Sequence, residues 1–308
     1  MFITMDKLPI FPHSKTLDIN DKPAIESFVA KHPPYSDFNF TSMFSWDSRN
    51  EYRVSNLNNN LVVRFTDYIT GEPFYSCLGE NKIDETLQRL IKQSELEGIT
   101  PRLQLIPRNA VNNLKNVKLF RIKEDIDNFD YIYSLPSSVE LKGKKYQNHR
   151  TGKRNFLEKF DRRISVRTIN PSNQTVRKKM LDLFNTWSAN TSQPQEDIDN
   201  EMEAIIKILN YSSDLNIFCI AIYIEDELVA FSINELVDED YAITHFEKAN
   251  ISYSGIYYFI RHETSKLLLK KGRRLLNLEQ DLGIESLRYS KKAHRPIDFL
   301  KKYTVELS

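Results

Sequence analysis

Three strand-length apolar runs in the second half of the chain narrow the choice of fold more than any other feature. Residues 217–225 and 228–236 flank the tight acidic turn Glu225-Asp226-Glu227, and Tyr241–Glu247 follows after a second short connection. Connections this short allow only antiparallel pairing, because a parallel pair needs a crossover of about a dozen residues or more. An antiparallel meander is therefore expected over 217–247. A long helix, Ile256–Lys270, comes next. Gly255 opens it, and a Lys-rich last turn that complements the helix dipole leads to a capping glycine, Gly272. A strand over 274–278, a short helix near 286–293 and a last strand, Tyr303–Leu307, complete this half. Ahead of the meander stand a strand of alternating polarity, Ile164–Ile169, and two amphipathic helices, Gln174–Trp187 and Asp199–Leu209.

The first half reads as a looser version of the same order. Ala24–Lys31 is a short helix, and Tyr52–Ser55, Leu61–Phe65 and Phe74–Leu78 are strands. Ile83–Glu97 carries apolar residues at 83, 87, 90 and 91, a helical stripe that Gly98 closes. Arg102–Ile106 and Tyr131–Ser134 are further strands.

At 308 residues the chain is long enough for two domains with full cores. Its aromatic content of 11% is that of a globular protein. The net charge of +1 names no partner by itself. Cys77 and Cys219 lie far apart, and Cys219, inside the apolar run Ile217–Ile222, reads as a small buried hydrophobe. Neither a disulfide framework nor zinc spacing is present, and no metal is expected. Met1–Ile10 has no continuous apolar core of the kind a secretory signal needs. No apolar run approaches the ~20 residues that span a bilayer. A cytoplasmic location is expected, with any lipid met at the membrane surface.

Two segments carry chemistry. In the first, the apolar strand Leu275–Leu278 runs into Glu279-Gln280-Asp281, Gly283 breaks it, and Arg288 and Lys291 follow on a short helix. Carboxylates two apart share a strand face, and cations three apart share a helix face. Together they are set to line one cleft between the two halves. The carboxylates can take a proton from an attacking amine or hydroxyl, or hold an ammonium. The cations can stabilise an oxyanion or bind phosphate. The same four residues can instead form a buried salt-bridge cluster tying strand to helix. The second segment, 141–160, is strongly basic, with Tyr146, Phe156 and Phe160 interleaved. One face is then anchored by aromatics and the other presents cations, suiting contact with a polyanion; Thr151-Gly152 is expected to loosen the helix.

The spacing N-x-E-Q-D-L-G-x-x-x-L-R-x-x-K-x-x-x-x-P at 277–296 resembles the phosphatidylglycerol lysyltransferase C-terminal-like family of the GNAT acyltransferase superfamily. So does the L-x-G-K-K-Y element at 141–146, with Lys153-Arg154-Asn155 after it. The resemblance implies an α/β (α+β) protein of two tandem GNAT-like units with mixed, largely antiparallel sheets flanked by helices. The units would be 1–135 and 164–308, joined by a basic linker helix over 136–163. Strands 241–247 and 274–278 would splay, since donors of that superfamily wedge between them. The implied activity moves an aminoacyl group from aminoacyl-tRNA to an amine or hydroxyl, such as a phospholipid head group. The other readings are an acyl-coenzyme A-dependent N-acetyltransferase and a non-catalytic binding module. No tightly bound cofactor is expected, only an aminoacyl-tRNA or acyl-coenzyme A donor. Glu279, Asp281, Arg288 and Lys291 would carry the chemistry, with His245 a candidate base. Lys144, Lys145, Lys153, Arg154 and Asn155 would hold donor phosphates. So would the loop of Tyr253 and Gly255 at the helix N-terminus, although the usual Arg/Gln-x-x-Gly-x-Gly/Ala signature is reduced here to Gly255.

Overall fold

The computed structural model describes residues 8–67, 70–191 and 193–308. The chain packs as two compact units, and neither is one continuous segment. The first takes the chain up to Tyr131 together with Gln280–Lys291 and Phe299–Ser308; the second takes Ile132–Glu279 and Lys292–Asp298. The segment 136–163, expected as a separate linker, thus packs within the second unit. The two late segments, expected in the second unit, pack in the first.

In the first unit, Lys15–Thr16, Arg53–Leu57, Asn60–Thr66 and Pro73–Leu78 form a four-stranded antiparallel sheet in that order. Asn58 and Asn59 make the central hairpin turn with φ of 54° and 60°. Two successive left-handed residues suit the right-handed strand twist, and asparagine tolerates them best after glycine. The helix Ile83–Leu96 buries Ile83, Leu87, Leu90 and Ile91 against Val62, Cys77, Leu103 and Val305. The last strand, Lys302–Leu307, lies between Leu103–Pro107 and Phe120–Glu124, antiparallel to both. Its polar sequence does not announce this destination. Val305, fully buried in the same core, holds it there.

In the second unit the meander is as expected. Ile164–Ile169, Ile217–Ile224, Glu227–Leu236 and Tyr241–Ala249 are successive antiparallel neighbours. Leu275–Asn277 then pairs parallel with Tyr241–Ile243 for three residues, and antiparallel with Ile132, Tyr133 and Ser134 on its other side. The parallel register stops at Ile243↔Asn277, although the longer strand runs on to Ala249. The splay expected between 241–247 and 274–278 is not seen: the two strands are hydrogen-bonded neighbours along the whole of Leu275–Asn277, and the pairing stops because the shorter strand ends there. The helix Gln147–Phe160 buries Phe156 and Phe160 in a core shared with Ile222, Val229, Ile256 and Phe259. It runs through Gly152 unbroken, so Thr151-Gly152 does not loosen it. Glycine is required there: a Cβ would lie 2.1 Å from the ring of Tyr258 on the long helix Ile256–Lys270. Cys77 and Cys219 are both buried free thiols, and burial pushes each up to about 12.

Candidate functional site

The meander carries two irregularities, one at Val229 and a second two residues beyond the end of the parallel pairing. Ile233 pairs with Phe246 but Asn234 pairs with Thr244, which leaves His245 as an extra residue on its strand. Such bulges re-aim a side chain and concentrate near active sites. The His245 ring reaches Glu235 through Nε2 at 3.1 Å and Glu279 through Nδ1 at 3.2 Å. Its side chain is only 1% exposed. Burial opposes a charge here, but hydrogen bonds to the two glutamates outweigh it and raise His245 to about 9. The ring is therefore an imidazolium at neutral pH, donating from both nitrogens. In that state the ring would donate to Glu279 and not take up a further proton. It instead fixes Glu279, the most exposed member of the three at 16%. Glu279 has φ +58°, and its N–H donates to Asn277 Oδ1 at 2.7 Å. A non-glycine residue held in this region costs of order 1–3 kcal/mol and persists where surrounding structure over-determines it, often at a functional site.

The strand that was to present Glu279 and Asp281 on one face ends at Asn277. Left-handed turns at Glu279 and Leu282 then send successive side chains to different partners. Glu279 belongs to the second unit and Asp281 to the first. Asp281 is fully buried and accepts from the Tyr131 hydroxyl at 2.5 Å, from Arg288 at 2.9 and 2.7 Å, and from the Gly283 N–H at 2.9 Å. Burial alone would raise its pKa; the bonds from Arg288 and Tyr131 win and hold it below the ordinary carboxylate range. Arg288 also reaches Asp127 at 2.5 Å, and its two carboxylate partners raise its pKa further. Lys291 lies over the Tyr131 ring at 5.9 Å. Arg288 and Lys291 thus do share a helix face, and both converge on Tyr131. With every Asp281 oxygen engaged, this group braces the fold of the first unit.

Gln280, between the two carboxylates, serves a further buried cluster of the first unit. Its Nε2 donates to Asp37 Oδ1 at 3.2 Å, and its Oε1 accepts from Ser36 Oγ at 2.8 Å. Lys302, with no exposed surface, pairs with Asp37 and with Asp130, the latter at 2.8 Å. Desolvation pushes Asp37 up to about 6 despite Lys302. The sequence reading missed Glu235, Asp37, Asp130 and Lys302. A charged residue inside the apolar strand 228–236 was the available signal for Glu235.

The expected donor-binding residues all belong to the second unit. Lys144, Lys145, Arg154 and Asn155 are exposed. Lys153 is half-buried, with Nζ 3.0 Å from His262 Nε2, and desolvation lowers its pKa. Arg154 is 3.6 Å from Glu158. Tyr253 packs edge-on against Phe160 at 5.3 Å and donates to Glu227 at 2.7 Å. Gly255 has φ +88°, and a Cβ there would meet the Gly152 carbonyl oxygen at 2.4 Å. Its glycine is thus explained by close packing beneath the basic helix.

The sequence profile described as "Phosphatidylglycerol lysyltransferase, C-terminal" matches residues 30–306. The chain belongs to this family. A protein of unknown function from Bacteroides thetaiotaomicron is similar at 26% identity and TM-score 0.84, over 96% of this chain and 99% of that one. The C-terminal domain of a putative lysylphosphatidylglycerol synthetase from Agrobacterium fabrum has 12% identity and TM-score 0.62, over 91% and 90%. L-PGS from Bacillus licheniformis has 13% identity and TM-score 0.60, over 92% and 90%. These last two likenesses speak for the fold, a mixed α/β arrangement of tandem GNAT-like units with antiparallel sheets flanked by helices. Membership in the phosphatidylglycerol lysyltransferase family indicates an acyl- or aminoacyltransferase.

Proposed function

We propose that the protein transfers an aminoacyl group from aminoacyl-tRNA to an amine or hydroxyl acceptor, with a phospholipid head group as the favoured acceptor. The observation that carries the reading is Glu279, held by charged His245 just past the end of the strand Leu275–Asn277, in a member of the phosphatidylglycerol lysyltransferase family. The acceptor's oxygen or nitrogen attacks the ester carbonyl, the new acyl bond forms, and the bond to the tRNA 3′ oxygen breaks. Glu279 takes the acceptor's proton and passes it to the departing oxygen. His245 keeps its own proton and fixes the carboxylate's position. Lys144, Lys145, Lys153 and Arg154, with Asn155, contact the phosphates of the RNA.

Gly255 favours tRNA over acyl-coenzyme A as donor. The one glycine left of the pyrophosphate signature is spent on packing against Gly152. No described helix is long and apolar enough to cross a membrane, so a lipid acceptor would be met at the bilayer surface. The test supplies radiolabelled aminoacyl-tRNA and, in parallel, acetyl-coenzyme A, together with phospholipid vesicles. Label moving from tRNA to lipid is the expected result. Label moving only from coenzyme A would replace the donor. Tight tRNA binding without any transfer would leave a binding module.

A further inference from the structure

Within the second unit a cavity of about 20 Å3 is lined by Ser138, His149, Tyr258, Arg261, Leu278 and His294, among others. This is room for one water or for one or two atoms of a ligand. Three observations mark it as a built site. First, His149 is 8% exposed, and its Nδ1 is buried with no hydrogen-bond partner among the described residues. Its other nitrogen is committed to His294 Nδ1 at 3.0 Å. A buried polar atom left unpaired is costly, so a ligand or water that pairs with it is favoured there. Second, none of the residues lining the cavity is acidic. Arg261 is the one side chain there that is always charged, and it is already held by Glu247 at 2.7 and 3.0 Å. Third, Leu276 and Leu278 line the cavity from the strand end that continues into Glu279. His149 is one helical turn from Lys153, whose Nζ lies 3.0 Å from His262, another lining residue.

We propose that this cavity receives the side chain of the transferred aminoacyl group and selects a small, uncharged one, serine or alanine in size. The proposal rests on the aminoacyl-tRNA reading above. A donor with its phosphates on the basic helix would reach the cavity along that helix at His149, and Leu278 on the cavity's wall is the residue before Glu279. A seryl hydroxyl fits the volume and pairs with the open Nδ1. A lysyl side chain exceeds the volume and would bury an ammonium beside Arg261 with no carboxylate to meet it, an arrangement that costs several kcal/mol. The selectivity thus differs from the lysyl transfer for which the family is named.

The test pairs binding with transfer, using the full chain. Calorimetry with L-serinamide, L-alaninamide and L-lysinamide should show the first two binding and the third not. His149→Leu should weaken serinamide at least ~10-fold, and Ser138→Ala serves as second variant where His149→Leu lowers folding yield. Transfer from seryl- or alanyl-tRNA should exceed transfer from lysyl-tRNA at least ~10-fold. Lysyl transfer as fast as seryl overturns the proposal. So does transfer indifferent to the side chain with no amide bound, which would leave the cavity to a buried water. Serinamide binding without transfer from any tRNA overturns the aminoacyl-tRNA reading while the cavity assignment stands. No binding and no transfer overturns both.

Discussion

The clusters around His245 and around Asp281 draw on carboxylates two residues apart in one motif, yet they are opposite devices. Around His245 a single cation meets two glutamates, and one of them, Glu279, keeps a path to solvent. Around Asp281 a fully buried carboxylate takes four hydrogen bonds, and its arginine bridges onward to Asp127. The first orients a partly exposed carboxylate, as a proton acceptor needs. The second is saturated and can do little but hold. The lesson is that neighbouring charged residues can be sorted by burial, one carboxylate fully enclosed and the other reached by solvent.

The largest effect should come from breaking the brace. Arg288→Ala leaves Asp281 buried without its cation and should cost roughly 3–5 kcal/mol of stability, read as a drop in melting temperature or denaturant midpoint. A stable Arg288→Ala variant that loses only transfer would make the two clusters alike and return Arg288 to the chemistry.

The next effect is pH dependence from the other cluster. His245 is raised from 6.5 to about 9, so the folded state binds its proton more tightly than the unfolded chain does. That contribution is fully present below pH 6.5 and is lost as pH rises through about 9, with an upper size on the order of 3 kcal/mol. Denaturation between these values should show stability falling with pH in wild type and a flatter profile in His245→Asn. An equal slope in both would remove His245 as the titrating group. On the acid side, His149 lies near 4, because burial and the charges of Arg261 and Arg295 oppose its protonation. Stability from this neutral pair is present above pH 6.5 and is lost as pH falls toward 4.

Glu279→Gln should then separate function from folding. The side chain keeps its size while losing its basicity, so transfer should fall by about 100-fold with little change in melting temperature. A large stability loss with transfer intact would make this cluster a brace as well. The smallest effect belongs to the basic face. Reversing Lys144 and Lys145 to Glu, both exposed, should weaken tRNA binding and flatten its dependence on salt, with folding unaffected. An unchanged salt slope would leave these lysines solvated and uninvolved.

Much of this molecule was legible from its residues, because period and punctuation are local. The long helix was read at its observed bounds, Ile256–Lys270, and the meander 217–247 followed from turn lengths alone. The aromatics at 146, 156 and 160 were rightly taken as the anchored face of a basic segment. What failed was long-range. Tyr303–Leu307 was read as a strand but not as part of the centre strand of a sheet built with the first half of the chain. Glu279 and Asp281 were placed on one strand face, since nothing local shows that the strand stops at Asn277 and that two left-handed residues follow. The pairing of Lys302 with Asp37 and Asp130 joins residues 265 and 172 apart, that of His245 with Glu235 crosses a bulge, and no short-range pattern encodes either. Sequence determines where hydrogen bonds close within a few residues and which faces must be buried. Which charges meet, and so which carboxylate stays available for chemistry, depends on contacts formed only when distant segments pack.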